Sequence, residues 1–583
     1  MSNKLNNIDI LDSDEYKQHL LKKQENYKRE QNQEETIWDK LEKMCHKDMA
    51  NLYYDMEQNH NYVYCDGSWF FYNKNNIVKQ LGKQNPINLK KDIAEVLQKY
   101  LLEEYNNLPY EVPKLTKLYK SSHKMIGTNS YLDAIVDLLK PEYNDDEFIN
   151  KLDSNSNIIS FNNMLFDYKT KKFRPINKLD FVSLTTKYDI ITVSNEKIRK
   201  ELNDILYSVF EDKEIISYWL NTISSALFTN KFESLYYHTG KGGNGKGLLF
   251  NLIESCLGDY FYTADNTFLT TTFKAGQANP TLASSKGKRI LLVSEPDTEG
   301  DKNNSGKVNI AFVKMITGAD TVTTRQLYQS NISFKPLFTC FLQCNEKPEL
   351  KKIDDGIKRR IKVVDYPFQF KQNPDINNKT HKKLDANLKG TLKEQKYINE
   401  FMLMLIENAV KFEIEKQNCI KQPEKVIEST SSYIDDNDIV KHWLYENYVI
   451  TNNKKDTVKS TEIYNKYCED TKTKIRPTDF VSFMKLHILD YKRSTTGYEY
   501  TGIRHINQEE INNMIYIIEN KDKIIQQERE RVVNIIEDEK KEDIIKNEIK
   551  QNVNKKPLVV QKKKNIKNKT LRELDTDRSD SDE

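Results

Sequence analysis

One run of eight residues has the composition to hold phosphate. Gly240-Lys241-Gly242-Gly243-Asn244-Gly245-Lys246-Gly247 takes five of the chain's 18 glycines. It follows the apolar run Leu235–His238 and precedes a helical pattern of Leu248, Leu249, Leu252 and Ile253. Gly-x-x-x-x-Gly-Lys between a strand and a helix is the spacing of a phosphate-binding loop. Glycine lets the backbone turn tightly and approach an anion without a Cβ in the way. The bared amides and the helix N-terminus then hold the phosphates. All eight residues form the expected ATP-binding set, with Lys246 bridging the β- and γ-phosphates. One position departs from the pattern. The residue after the lysine normally carries a Ser or Thr hydroxyl for Mg²⁺, and here it is Gly247. Nucleotide binding is expected, and hydrolysis is the open question.

Hydrolysis needs a carboxylate at the end of a neighbouring buried strand. Arg289-Ile290-Leu291-Leu292-Val293-Ser294-Glu295 fits, about fifty residues after the loop, far enough to include a crossover helix. Glu295 is the expected catalytic base and the Mg²⁺ ligand, with Asp297 the substitute. Leu337 to Asn345 is a further apolar strand, ending in an amide that can orient water and sense the γ-phosphate. Arg359 and Arg360 precede another strand, and a guanidinium there suits charge on a transferring phosphoryl group. Between them, Thr321 to Gln343 reads as two strands around the turn Gln329-Ser330-Asn331. Arg325, Tyr328 and Lys335 would flank its tip and grip single-stranded DNA by charge and stacking.

These side chains need a scaffold. Strand candidates Leu235–His238, Ile290–Val293, Val322–Tyr328, Leu337–Gln343 and Ile361–Val364 come at helix-length intervals, the rhythm of an α/β core with a buried sheet. Around it the chain divides into a charged arm (1–45), an N-terminal domain (46–230), the core (231–370), a helical lid or linker (371–430), a helix-rich module ending in a hairpin (431–505), and a charged helix with a disordered tail (506–583). The chain has 583 residues and a net charge of +3, from 90 Lys+Arg against 87 Asp+Glu. That balance excludes binding nucleic acid by bulk charge, as histones do. Hydrophobic residues at 37% supply several cores, although the mean hydropathy is −0.76. Seven dispersed cysteines read as reduced thiols, and Cys340 and Cys344 as ordinary buried ones. No signal peptide or membrane span is expected, and the compartment expected is the cytoplasm or a viral replication site. The basic cluster Lys555 to Lys569 leaves a nuclear address as the alternative.

Taken in order, "GKGGNGKG", "KGKRILLVSE", "VKMITGADTVTTRQLY", "FLQCNEKPEL" and "IKRRIKVVDYPFQF" resemble the superfamily 3 helicases. Within these the chain is similar to the helicase part of the primase-helicases of poxviruses and other large DNA viruses. Upstream, "IISFNNMLFDY" and "KFRPINKLD" resemble the domain that precedes the ATPase there. Downstream, "STEIYNKYCED" and "YEYTGIRHI" resemble its C-terminal module, so the likeness spans roughly residues 85–505. The resemblance implies an AAA+-type P-loop ATPase core, an α+β N-terminal domain and a winged-helix-like C-terminal module. It implies a homo-hexameric ring that unwinds single-stranded or forked DNA with ATP and Mg²⁺, beside a separate primase or polymerase. Lys246, Glu295, Asn345 and an arginine at 359 or 360 carry over as P-loop lysine, base, polar sensor and arginine finger. Gly318, Asp320 and Arg325 match the family's motif before the hairpin. Ser294 stands where many relatives have a second acid. The residues before 85 hold one acidic pair of the form primases need, Asp12-Ser13-Asp14, without a strand pattern, so primase activity is not expected. The rival expectations are a non-hydrolysing nucleotide-binding ring or loader, and a packaging or initiator ATPase on duplex DNA.

Overall fold

In the computed structural model, five apolar runs become the strands of one parallel sheet: β1 (Leu235–Thr239), β2 (Phe261–Ala264), β3 (Ile290–Ser294), β4 (Thr339–Cys344) and β5 (Ile361–Asp365). Their order across the sheet is β5-β1-β4-β3-β2, and every pairing is parallel. The structure describes residues 37–520, apart from 44, 58–59, 82–85, 109–111, 230, 272–277, 297–305, 319, 326–330, 351–352, 452, 473–474, 488–489 and 496, with Gln18 and Lys22 besides. The expected arm at 1–45 and tail at 506–583 lie largely outside the described residues, as do Asp297 and Tyr328.

The run character of these strands follows from burial on both faces. Tyr236, Ile290, Leu292, Phe341 and Val364 point into one cluster. Leu235, Tyr237, Leu291, Val293, Cys340, Leu342, Ile361 and Val363 point into the other. Each such side chain contributes about 1.5–3 kcal/mol by leaving water. The first cluster is closed by the helices Glu196–Phe210, Lys213–Ala226, Lys246–Leu257 and Gln395–Phe412. It also takes in the antiparallel meander Ile158–Ser160, Leu165–Asp167 and Lys172–Arg174. The second is closed in part by the helices Ile310–Thr317 and Glu424–Asp436.

Two of the expected strands differ. β2 was not among the candidates: Phe261-Tyr262-Thr263-Ala264 sits at the sheet edge with its middle residues partly exposed, so it lacks a buried run. Val322–Thr324 is not in the central sheet. It pairs with Ile332–Phe334 as a separate hairpin, and Leu337 onward leaves that hairpin to become β4.

Two buried charged groups fasten these layers. Arg289, at the foot of β3, donates to the carbonyls of Asn155 (2.8 Å) and Ile158 (3.1 Å) and lies over the Tyr260 ring. Burial lowers its pKa from the ordinary arginine value. Glu400 accepts from Ser194 Oγ (2.9 Å), the Asn195 amide (2.6 Å) and Arg199 Nε (2.7 Å), tying Glu196–Phe210 to Gln395–Phe412.

Ahead of these, His46–Met56, Ile87–Asn106 and Asn129–Leu139 pack with a three-stranded antiparallel sheet, Tyr62–Cys65, Ser68–Tyr72 and Val78–Gln80, around Tyr53, Trp69, Ile93 and Ile135. The chain separates into two compact units, residues 1–438 and 439–583. The boundary expected at 430/431 therefore moves: Thr430 accepts no break, because its hydroxyl receives the Val363 amide of β5 (2.9 Å). The second unit runs helix Ile439–Asn447, strand Thr457–Lys459, helices Ser460–Thr471 and Pro477–His487, and hairpin Asp490–Ser494/Gly497–Thr501, over a core of Trp443, Ile463 and Phe480. The hairpin expected at the end of this module runs from Asp490, which pairs with Thr501. Among the described residues no helix is long and apolar enough to cross a membrane.

Candidate nucleotide-binding site

β1 is buried along its whole length and ends at Thr239, which fixes where the glycine loop begins. Gly240 has φ +152°, and a Cβ there would lie 2.4 Å from Asn244 Nδ2 and 2.7 Å from the Tyr366 carbonyl. Gly245 has φ +87° and starts the helix Lys246–Leu257. Both positions therefore exclude side chains, on steric and on backbone grounds. The amides of residues 241–245 donate to no group among the described residues. Asn244 Oδ1 accepts from the Lys246 amide (3.2 Å), while Asn244 Nδ2 is buried without a partner. A cluster of unsatisfied donors in one loop at a helix N-terminus fits an anion.

The Lys246 side chain is 3% exposed and donates to the Gly240 carbonyl (2.6 Å) and to Asn345 Oδ1 (3.1 Å). Burial lowers its pKa, opposed by Cys344 and Glu295. β3 and β4 are adjacent in register, so their ends come together. The Glu295 amide donates to the Gln343 carbonyl (2.8 Å), and the Asn345 amide to Glu295 Oε2 (3.4 Å). Glu295 holds a left-handed backbone, φ +45°. Strain of this kind at a strand end is a feature of functional sites. Lys246, Glu295 and Asn345 are thus brought together at one edge of the sheet.

They border a cavity of about 650 Å³, within the range of small-molecule sites. Beyond the loop its walls are Ile205, Ser208, Val209, Phe370, Leu384 and Leu388, with Asn251, Asp385 and Lys389 among the polar groups. Sequence reasoning missed all of these. Phe370 lay within a motif quoted for other reasons, and its amide donates to the Gly243 carbonyl (2.7 Å). The stretch 384–389 carries no motif, and it is held by its neighbour Lys382, which pairs with Glu211 (2.7 Å).

For a divalent cation, the oxygen donors bordering this cavity include the exposed Glu295 and Asp385 carboxylates and the amides of Gln343 and Asn345. Among the described residues no group of three His, Cys, Asp or Glu gathers to make an all-protein metal cage. Mg²⁺ asks for one or two carboxylates and takes its other ligands from phosphate and water. The donor set fits that demand, with Glu295 as the carboxylate. Cys340 and Cys344 are buried in the sheet, and burial pushes their thiols up.

Behind the loop, His238 is buried and its pKa is pushed down to about 3, by burial and then by Lys246. Trp219 Nε1 donates to the Tyr366 hydroxyl (3.1 Å), which lies 3.0 Å from His238 Nδ1. The other ring nitrogen, Nε2, is buried and has no partner among the described residues.

The other expected residues lie elsewhere. Arg359 and Arg360 enter β5 at the end opposite the loop, since Ile361 pairs with Leu235. Roughly 20 Å of strand, at about 3.3 Å per residue, separates them from Gly240. Arg360 is buried, bonded to Glu233 Oε2 (2.6 Å), Thr317 Oγ1 (3.1 Å) and the Gly356 carbonyl (2.9 Å). Arg359 is 68% exposed, with one long contact to Glu233 (3.3 Å). In the hairpin, Thr324 pairs with Ile332, so Arg325 begins the tip. Lys335 follows Phe334, the partner of Val322, and therefore lies at the base rather than the tip.

Residues 238–360, which contain the loop, Glu295 and Asn345, match the family described as "Family of unknown function (DUF5906)". Residues 21–221 match the family described as "D5 N terminal like". The chain carries a D5 N-terminal-like region. The resemblance to helicase-named proteins of large DNA viruses holds. The chain is 31% identical to a "putative helicase" of Acanthamoeba polyphaga mimivirus, over 58% of this chain and 36% of that protein. It is 26% identical to a "putative helicase" of Invertebrate iridescent virus 3, over 55% of this chain and 35% of that protein. An "uncoating factor" of Vaccinia virus is 26% identical over 50% of this chain and 38% of its own length. The chain thus spans less than two fifths of these relatives. Among solved structures, the apo NrS-1 C-terminal region is similar at 14% identity over 67% of this chain and 75% of that chain, with a TM-score of 0.38. The D5 N-terminal-like region supplies one wall of the cavity, through Ile205, Ser208 and Val209.

Proposed function

We propose that this chain is an ATP- and Mg²⁺-dependent DNA helicase with an AAA+-type core that works as a homo-hexameric ring in viral genome replication. The observation that carries the reading is the convergence of Lys246, Asn345 and Glu295 at the ends of β1, β4 and β3, in a sheet ordered β5-β1-β4-β3-β2. In this reading the loop amides and Lys246 bind the β- and γ-phosphates. Glu295 polarises the attacking water, and the Asn345 amide orients it. Mg²⁺, held by Glu295, would neutralise developing charge on the phosphates. Arg359 is the finger, because it is exposed and cannot reach its own loop, so it serves a neighbouring subunit. Arg360 is consumed by its own chain and stabilises the strand entry. The hairpin with Arg325 at its tip contacts single-stranded DNA, and the helix–strand–strand–helix–helix–hairpin order of residues 439–501 supports a winged-helix-like accessory module.

The test is unwinding of forked DNA with ATP and Mg²⁺. Wild type is expected to separate the strands, and Glu295→Gln to bind ATP without separating them. Absence of both DNA-stimulated ATPase and unwinding in wild type overturns the reading. One observation favours a second reading: Gly247 offers no hydroxyl to Mg²⁺, as in a nucleotide-binding ring or loader that does not turn over. Nucleotide-dependent assembly without hydrolysis would select it. Stimulation by duplex alone would select a packaging or initiator ATPase.

A further inference from the structure

Gly247 leaves open what stands where the hydroxyl is missing. Its place in the first turn of Lys246–Leu257 is not forced by crowding. A Cβ built there meets one atom within 4 Å, Gln343 Nε2 at 3.8 Å. Nor does Gly247 need a left-handed backbone. A serine would fit, yet the space beside it is taken by the Gln343 amide. Gln343 lies on β4 two residues from Phe341, so its side chain leaves the sheet on the face where Phe341 meets Phe250 of the P-loop helix. It lines the same cavity as Lys246, Glu295 and Asn345. Its carbonyl receives the Glu295 amide, which locks it to the proposed base. The side-chain amide itself has no hydrogen-bond partner among the described residues, although the residue is half-buried. Half a turn about the terminal bond exchanges its nitrogen for its oxygen.

We infer that Gln343 supplies the oxygen that Gly247 lacks, holding the divalent cation of the bound nucleotide from the neighbouring strand. The role has passed from the helix to the sheet. A hard cation accepts an amide oxygen as readily as a hydroxyl. This inference rests on the nucleotide-binding reading.

The test is the affinity of the full chain for a fluorescent non-hydrolysable ATP analogue, measured with Mg²⁺ and again with EDTA. Wild type binds more tightly with Mg²⁺. Gln343→Ala is expected to lose about tenfold of that Mg²⁺-dependent gain and to keep its affinity in EDTA. Adding Gly247→Ser to Gln343→Ala is expected to restore the gain, and Gln343→Glu to keep or exceed it. Should Gln343→Ala fail to fold, Gln343→Glu decides alone: a retained gain supports the role and a lost one overturns it. An unchanged gain in Gln343→Ala, a loss of affinity in EDTA, or no rescue by Gly247→Ser each overturns the inference. Failure of wild type to bind in either condition instead overturns the nucleotide-binding reading.

Discussion

Lys246 is buried but not paired with a carboxylate: it is held by a carbonyl and an amide oxygen, two neutral acceptors. Its charge is therefore uncompensated and ready for an anion. Lys246→Ala is expected to weaken ATP binding by about tenfold or more and to abolish hydrolysis, read by titration of a fluorescent nucleotide and by phosphate release. His238 makes a second prediction. Its pKa in the fold, about 3, lies below the ordinary 6.5, so the unfolded chain binds the extra proton between those values. Stability is full above pH 6.5 and falls as pH drops toward 3. In His238→Phe that contribution is absent, and melting temperature should fall less steeply from pH 7 to 5 than in wild type. The lysine was legible from the spacing of the glycine loop, and the acid and the terminal amide because each ends an apolar run. Gln343 was not: it reads as one more strand residue until β4 is placed against the P-loop helix.

At the scale of elements, burial on two faces made β1, β3, β4 and β5 readable as uninterrupted apolar runs. β2 was hidden because its two middle residues, Tyr262 and Thr263, are partly exposed, whereas β5, at the opposite edge, buries Ile361, Val363 and Val364. The hairpin was legible as a hairpin but not in length, since Leu337 onward has the same composition whether it pairs with Val322 or with β3. Nothing in composition announced that Glu196–Phe210 would wall the cavity beside the glycine loop. That helix is positioned by Glu400, whose carboxylate is 1% exposed and receives three hydrogen bonds. Glu400→Ala leaves the Asn195 amide and part of Arg199 without an acceptor, and should cost about 3 kcal/mol. Thermal or urea unfolding reads this directly. Because Ile205 and Val209 share the helix, nucleotide affinity should fall with it, whereas a surface change such as Glu407→Ala, at a carboxylate 54% exposed, should move stability by under about 1 kcal/mol.

For the whole molecule, the roughly 20 Å between Arg359 and its own loop means that, in the proposed ring, Arg359 would act on a neighbouring copy. Arg359→Ala should bind nucleotide like wild type and hydrolyse it at least about a hundredfold more slowly. Mixing it with Lys246→Ala should recover part of the turnover, because some interfaces then join an intact loop to an intact arginine. A mixture no faster than its components would sink the role in trans. The sheet order carries a different consequence, for synthesis. β1 leaves the ribosome before any strand it pairs with, since both its neighbours, β4 and β5, are encoded later. From Thr239 to Thr339 is about 100 residues, so at roughly 5–20 residues per second β1 waits about 5–20 s with both edges bare. That interval is the chain's window for misassembly, and slowing initiation, which leaves fewer bare nascent strands in the cell at once, should raise soluble yield.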